Sequence, residues 1–400
     1  MEDFFRPAED TAGELGADRH YPRGRLFPFS FFSVHGRAAM ERLEAEGATL
    51  AGPQYRGTDD RVLAEARQHG LKVIYTVMAA PSSEAVRSGE LSDEEIARAV
   101  RERLAPVMDD DSIAWWYVRP EELRYWRPAE MRYLEVAART IRQTDPKGRP
   151  VWMYDPNHRN ERALRETARH LDIVGKGMYT NYAGMKNSRV WCRWSIEQQV
   201  RAIAAANPDA IPIAVPEMFQ QPDAEDIVLI DSWVRHDVYA ALVAGARGVV
   251  VFSAARRRNF TAHEAYMQAY LDVHRELCGE MNLGQVFLFG QRRGDLEVHV
   301  TDGPQSVKMV YPSGSVRESI EYPSVSFLNA AYGSERYVIL VNSAEEPVEA
   351  MVVGLPYGRV MVADVLEGAR PFVAPEGEFP VELAPLGVKV YRIYNGTGGS

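Results

Sequence analysis

The chain is expected to fold as an α/β protein, a (β/α)8 TIM barrel followed by an all-β sandwich. Three features point there. From about residue 27 to 290, short apolar runs alternate with amphipathic stretches whose apolar residues recur three and four apart. Eight apolar runs can be counted, and eight strand–helix units make one closed parallel barrel. After about residue 292 the helical period disappears, and short strand-like runs are separated by Gly, Pro, Asn and Ser. The expected division is a barrel over 1–290 and an antiparallel β-sandwich over 293–396.

Each barrel unit can be read in order. The first run, FPFSFFSVH (27–35), leads into RAAMERLEAEG (37–47), which buries one face and ends on Gly47. ATLAGPQY (48–55) precedes the helical DDRVLAEARQHG (59–70), and LKVIYTVMA (71–79) precedes SDEEIARAVRERLAPVM (92–108). IAWWYVRP (113–120) feeds AEMRYLEVAARTIRQTDP (129–146), and PVWMYDPNH (150–158) feeds NERALRETARHL (160–171). DIVGKGMYT (172–180) is followed by a long polar and aromatic loop, then by SIEQQVRAIAAANP (195–208). IPIAVPEMF (211–219), the helical DSWVRHDVYAALVAGA (231–246) and GVVVFSA (248–254) complete the set, with a last helix and connection over about 275–292. A doubly wound open sheet would lead one to look for a glycine-rich phosphate loop after the first strand, and FFSVHGRAAM is not one.

Composition narrows the function. The 400 residues are 46% hydrophobic and 26% charged, as in soluble globular proteins. A formal net charge of −10 argues against nucleic-acid binding, which relies on basic patches, and no apolar run is long enough to span a membrane. The opening MEDFFRPAED has neither the basic nor the apolar region of a leader, and NGTGGS reads as a flexible tail. Localisation stays open between the cytoplasm and secretion with a leader absent from this chain. Cys192 and Cys278 are read as free thiols. His35 stands alone where metal-dependent barrels place paired histidines, HExxH and GxSxG are absent, and neither a metal nor a cofactor is expected.

Barrel chemistry sits on the loops after the strands' C-terminal ends. Carboxylates follow strand 4 in WYVRPEEL and strand 7 in IAVPEMF, each behind a proline. Those strands lie nearly opposite across an eight-stranded mouth. Two facing carboxyls are what glycoside hydrolysis requires, one to protonate the leaving oxygen and one to attack or to activate water; about 5–5.5 Å between them gives retention and about 6.5–9.5 Å inversion. The candidates are Glu121, Glu122 and Glu217. Alternatively, Glu121 and Glu122 open a solvated helix. Substrate-binding candidates are Tyr55, Asn157, His158, Tyr179, Trp191, Trp194 and Arg257. Aromatic rings stack on sugar faces, and an arginine can pair with an acidic sugar substituent. Lys176 leaves a Schiff-base lyase or aldolase as a rival, and a non-catalytic glycan-binding barrel is another. The expected partner is a carbohydrate; a homo-oligomer is left open.

SIAWWYVRPEELRYW, the segment ending RPVWMYDP and IPIAVPEMF resemble the strand-4, strand-5 and strand-7 regions of (β/α)8-barrel glycoside hydrolases with glutamates on strands 4 and 7 (clan A). RYVILVNSAEEPVEAMV and FPVELAPLGVKVYRIY resemble the all-β domain that closes many such chains. The resemblance implies Glu121 as acid/base, Glu217 as nucleophile of a retaining hydrolase, and Tyr179 orienting Glu217. The chain departs from that pattern at Pro120, where the family has an asparagine before the acid/base residue.

Overall fold

The computed structural model describes residues 26–55, 57–313, 316–358, 360–374 and 376–395. The opening of the chain and the last residues of the NGTGGS tail, on which two of the readings above fall, lie outside them. All eight apolar runs form strands: β1 (Phe29–Phe31), β2 (Leu50–Ala51), β3 (Lys72–Met78), β4 (Ile113–Arg119), β5 (Val151–Asp155), β6 (Ile173–Gly177), β7 (Ile211–Val215) and β8 (Val249–Val251). They pair in parallel in the order β1-β8-β7-β6-β5-β4-β3-β2. Two contacts draw the ends of this sheet together: Ser33 N–H donates to Pro53 O at 2.8 Å and the Ser30 hydroxyl to Gly52 O at 2.7 Å.

Helices α1 (Arg37–Ala45), α2 (Asp60–Gln68), α3 (Ser83–Ser88), α4 (Asp93–Leu104), α5 (Pro128–Thr144), α6 (Glu161–Ala168), α7 (Trp191–Ala206), α8 (Ile230–Ala244), α9 (His263–Cys278) and α10 (Gly284–Phe289) wrap the sheet. Local chemistry sets several of their starts. Ser92 and Glu95 form a reciprocal capping box on α4, and Asp59 and Asn160 cap α2 and α6. The last helix begins well before 275. Tyr266, Met267, Tyr270, Leu271, Val273 and Leu277 keep one buried stripe going. The break falls between Gly279 and Asn282, the latter at φ 47°.

Strands β5, β6 and β7 are buried throughout, because helices cover one face and large aromatics fill the barrel on the other. Trp115, Trp152, Tyr117, Tyr154 and Phe32 pack together inside. Gly175 makes room for them, since a Cβ there would stand 2.5 Å from Tyr154 Cβ.

Beyond the barrel, β9 (Gln291–Arg292), β10 (Glu297–Asp302), β11 (Ser306–Ser313), β12 (Val316–Pro323), β13 (Val325–Tyr332), β14 (Glu335–Asn342), β15 (Val348–Val353), β16 (Val360–Asp364), β17 (Phe372–Val373), β18 (Glu378–Leu383) and β19 (Val388–Asn395) form antiparallel sheets. The six-stranded sheet β17-β16-β19-β14-β13-β9 faces the three-stranded sheet β10-β15-β18 across a core that includes Val338, Leu340, Val362, Val381 and Ile393, which makes a sandwich.

The remaining pair, β11–β12, reaches back to the barrel. Its Met309, Tyr311 and Tyr322 pack on Val190, Trp191 and Trp194 at the start of α7. This corrects one expectation. Trp191 and Trp194 do not form a cleft wall, and they do not lie in the strand-6 loop. They are stacked at 4.6 Å in the first turn of α7, almost wholly buried beneath the arm. Covering two indoles removes a large apolar area from water. Trp194→Ala is expected to cost about 3–5 kcal/mol of unfolding free energy, the range for a buried aromatic truncated in a core. Urea unfolding of the variant checks this; a loss under about 1 kcal/mol would mean that the arm does not stay docked.

Candidate active site

The segment RPEEL after β4 forms a turn. Neither Glu121 nor Glu122 starts a helix: α5 begins only at Pro128, behind Arg127 as N-cap. The chain instead turns sharply at Pro120, after a cis peptide bond, and Glu122 takes φ 57°, a left-handed conformation uncommon for a glutamate. The turn sends the two side chains in different directions. Glu121 points inward, with its side chain 7% exposed and one carboxylate oxygen 2.8 Å from Arg119 Nε. The Arg119 guanidinium lies 4.1 Å over the Tyr55 ring, so Tyr55, at the end of β2, joins the same cluster. Glu122 is exposed at the rim. Partial loss of hydration beside the turn, and then the neighbouring Glu121 charge, raise its carboxyl pKa. A cavity of about 140 Å³ behind this turn is lined by both glutamates with Arg87 and Glu130.

Across the mouth, Glu217 follows β7 and Pro216. Its backbone bridges to Phe252 in the extension of β8, and its carbonyl accepts from the Tyr270 hydroxyl at 2.8 Å. The side chain is buried, and its two carboxylate oxygens face the backbone N–H groups of Asn181 and Tyr182, the latter at 3.1 Å. Burial pushes its pKa up to about 7, against the opposing pull of those two N–H donors.

Sequence reasoning missed what holds this arrangement. Arg189 donates to Asn181 Oδ1 at 3.0 Å and pairs with Asp237 through Nε at 2.9 Å. Asn181 also donates to the Tyr266 hydroxyl at 3.0 Å. Asp237 contacts His236, whose other ring nitrogen meets Ser343 of the sandwich at 3.0 Å. Adjacent His236 and Asp237 among the buried residues of α8 are the signal that could have found it: a buried charge there needs a partner.

Between the two carboxyl walls lies an aromatic floor. Phe32 touches Tyr117, Tyr154 and Phe252, and Tyr179 packs against Phe219 and Phe252. The Tyr179 hydroxyl lies in the field of Glu121, Glu122 and Glu217 together, and burial, acting before those charges, raises its pKa well above the ordinary value. Among the described residues the hydroxyls of Tyr117 and Tyr179, Arg119 Nε and one Glu121 oxygen are buried without an aligned hydrogen-bond partner. Arg119 Nε and that Glu121 oxygen face each other as an ion pair, which leaves the two buried tyrosine hydroxyls as the polar groups a polyhydroxylated ligand would satisfy.

The other candidates fall in different places. Arg257 reaches the mouth, its guanidinium 4.8 Å over Phe219, and among the described residues no carboxylate pairs with it. Asn157 does not face the mouth. It clamps the β6 loop, donating to Tyr179 O at 3.2 Å and accepting from Tyr179 N at 2.9 Å and Trp191 Nε1 at 2.8 Å. His158 has an exposed side chain, and its carbonyl anchors Tyr311 of the β11–β12 arm at 2.7 Å. Lys176 is fully buried and donates to three backbone carbonyls, those of Pro156, Asn157 and Gly177, while burial lowers its pKa to about 7. A lysine so enclosed cannot reach a carbonyl substrate, which removes the geometric basis for the aldolase reading. Both cysteines are free, and among the described residues no three His, Cys, Asp or Glu side chains gather into a metal-binding group. Among the described residues no helix is long and apolar enough to cross a membrane.

The raised Glu217 pKa makes a measurable prediction. The native state holds this proton more tightly than the unfolded chain, so its stabilising effect is complete below about pH 4.5 and is lost as pH rises through about 7. Wild type is expected to lose up to about 3 kcal/mol across that window that Glu217→Gln does not lose. Denaturant unfolding of both proteins from pH 4 to 8 reads the difference; parallel curves would mean an ordinary carboxyl.

No family model matches the chain, and neither does any curated protein. Solved structures do. An α-amylase from Geobacillus thermoleovorans complexed with acarbose aligns with a TM-score of 0.57 and 11% identity over 93% of this chain and 100% of that one. A glycoside hydrolase family 5 protein from Bacteroides vulgatus aligns with a TM-score of 0.56 and 12% identity over 94% and 91%. CelM2, a bifunctional glucanase-xylanase from a metagenome library, aligns at 0.52 and 7% over 93% and 96%. At these identities the likeness concerns the fold: barrel and C-terminal β-domain together, along nearly the whole chain, have the architecture of solved glycoside hydrolases.

Proposed function

We propose that the protein is a glycosidase that cleaves a glycosidic bond in an oligo- or polysaccharide by a retaining, two-carboxyl mechanism. The barrel, taken as residues 1–290, carries the chemistry, and the sandwich, taken as 293–396, supports it. The observation that carries this reading is the pair of unlike glutamates, Glu121 ion-paired with Arg119 and Glu217 buried with a pKa near 7, on opposite walls of one aromatic mouth.

Their environments favour roles opposite to those implied by the family resemblance. A proton donor needs a pKa near the working pH, which Glu217 has. An attacking oxygen gains from a cation beside it, and Glu121 has Arg119 Nε at 2.8 Å. Glu217 then protonates the glycosidic oxygen as its bond to the anomeric carbon breaks. A Glu121 oxygen bonds to that carbon and gives a glycosyl ester. Water, losing a proton to Glu217, attacks the same carbon and releases Glu121 and the sugar. Tyr55, Tyr179 and the aromatic floor carry the sugar faces, and Arg257 offers a cation to a carboxylate or sulfate on the substrate.

A non-catalytic glycan-binding barrel has one observation behind it: both carboxyls already have protein partners. Leaving-group dependence separates the readings. Glu217→Gln is expected to lose about 100- to 10,000-fold on alkyl glycosides yet spare dinitrophenyl glycosides, which leave without a proton. Glu121→Gln is expected to lose both. The opposite pattern restores Glu121 as the acid. A wild type that binds sugars but turns over none across neutral and acidic panels is the binding protein.

A further inference from the structure

Aromatic rings join across the mouth into one strip. Tyr55, after β2, has its ring centroid 6.0 Å from that of Phe252, after β8. Phe252 lies 5.7 Å from Phe219, after β7, and Phe219 lies 5.6 Å from Tyr182, in the loop after β6. Tyr179 backs the same strip, 5.9 Å from Phe252 and 6.3 Å from Tyr182. In the order of the eight strands, β2 and β6 stand opposite each other whichever way round they are followed, so the two ends of the strip lie on opposite sides of the mouth.

The ends differ from the middle in exposure. Tyr179 is buried and Phe219 and Phe252 are half-buried, whereas Tyr55 is 41% exposed and Tyr182 64%. Each end is also tied to one of the two carboxyls. The Arg119 guanidinium that lies over Tyr55 pairs with Glu121, and Tyr182 gives its backbone N–H to Glu217 at 3.1 Å. Single exposed aromatics are ordinary on a protein surface. Core packing accounts for the covered rings in the middle of the strip. It does not account for two open rings that end the strip, one beside each carboxyl.

We propose that a sugar chain lies across the mouth along this strip, with one unit stacked on Tyr55, another on Tyr182 and the scissile bond between them, so that the enzyme cuts internal bonds of an oligo- or polysaccharide. The cut rests on the glycosidase reading; the placement of the chain rests on the strip alone. Sugar rings offer flat, partly apolar faces to such side chains, and two separate platforms hold a chain better than a single unit.

Product analysis on end-labelled gluco-, xylo-, manno- and glucurono-oligosaccharides tests it. Wild type should cut internal bonds, and kcat/KM should climb as the chain grows from about two to six units, because units away from the bond add binding. Tyr55→Ala and Tyr182→Ala should each lower kcat/KM on the longest chains about tenfold and should move the cut in opposite directions along the chain. Tyr55→Phe and Tyr182→Phe keep the rings and should stay near wild type. Tyr357→Ala, on the sandwich and 87% exposed, should change neither rate nor pattern. Release of single terminal units at every length, a pattern unmoved by both alanine variants, or an equal loss in Tyr357→Ala overturns the proposal; the wild-type pattern and length dependence decide even where a variant does not fold. If wild type cuts nothing, titration calorimetry with the same chains separates the readings. Affinity that climbs with length and falls in both alanine variants retires the glycosidase reading and keeps the chain on the strip. Affinity independent of length, or no binding at any length, overturns the strip as well.

Discussion

The molecule is organised around the cost of burying one carboxyl. Glu217 sits at the end of β7 with almost no exposure, and a carboxyl so placed must be held by dipoles or give up its charge. The protein does part of each. Two backbone N–H groups of the β6 loop face its oxygens, and the remaining desolvation leaves the pKa near 7. Holding those N–H groups in place is itself a structural task. Asn181 is pinned by Arg189 and Tyr266, Arg189 by Asp237, Asp237 by His236, and His236 by Ser343. A chain of polar contacts thus runs from the sandwich through α8 to the candidate acid, and each member is satisfied by the next.

The sandwich bears on the site a second way. The β11–β12 arm buries Trp191 and Trp194, and Trp191 in turn donates to Asn157, which holds both backbone groups of Tyr179. Aromatics that look like a sugar platform in sequence therefore act one layer behind it, fixing the loop that presents Tyr179 and the two N–H groups. Asn157 serves that clamp, and His158 lends the arm its backbone carbonyl. Cutting the arm away would expose two indoles and loosen the mouth together.

Much of this was legible in the sequence, and the reasons are physical. Eight buried parallel strands must be apolar nearly end to end, so all eight appear as runs. The sandwich strands alternate, so most of them appear as well. In VRESIEYP, which forms β12, Glu318, Ser319 and Glu321 are exposed and Tyr322 is buried, so its polar residues conceal the strand. The two carboxyl walls were legible because proline followed by glutamate after an apolar run is hard to place elsewhere. The destination of Trp191 and Trp194 was not, because the partner that covers them lies more than a hundred residues away. Nor was the left-handed turn at Glu122, since no residue type there demands it.

The electrostatics of the mouth sort two like groups by their surroundings. At the mouth, Arg119 has its carboxylate close by, and the unlike surroundings of Glu121 and Glu217 separate two chemically identical groups into an ion-paired one and a proton-holding one. That separation comes from burial and neighbours rather than from any motif.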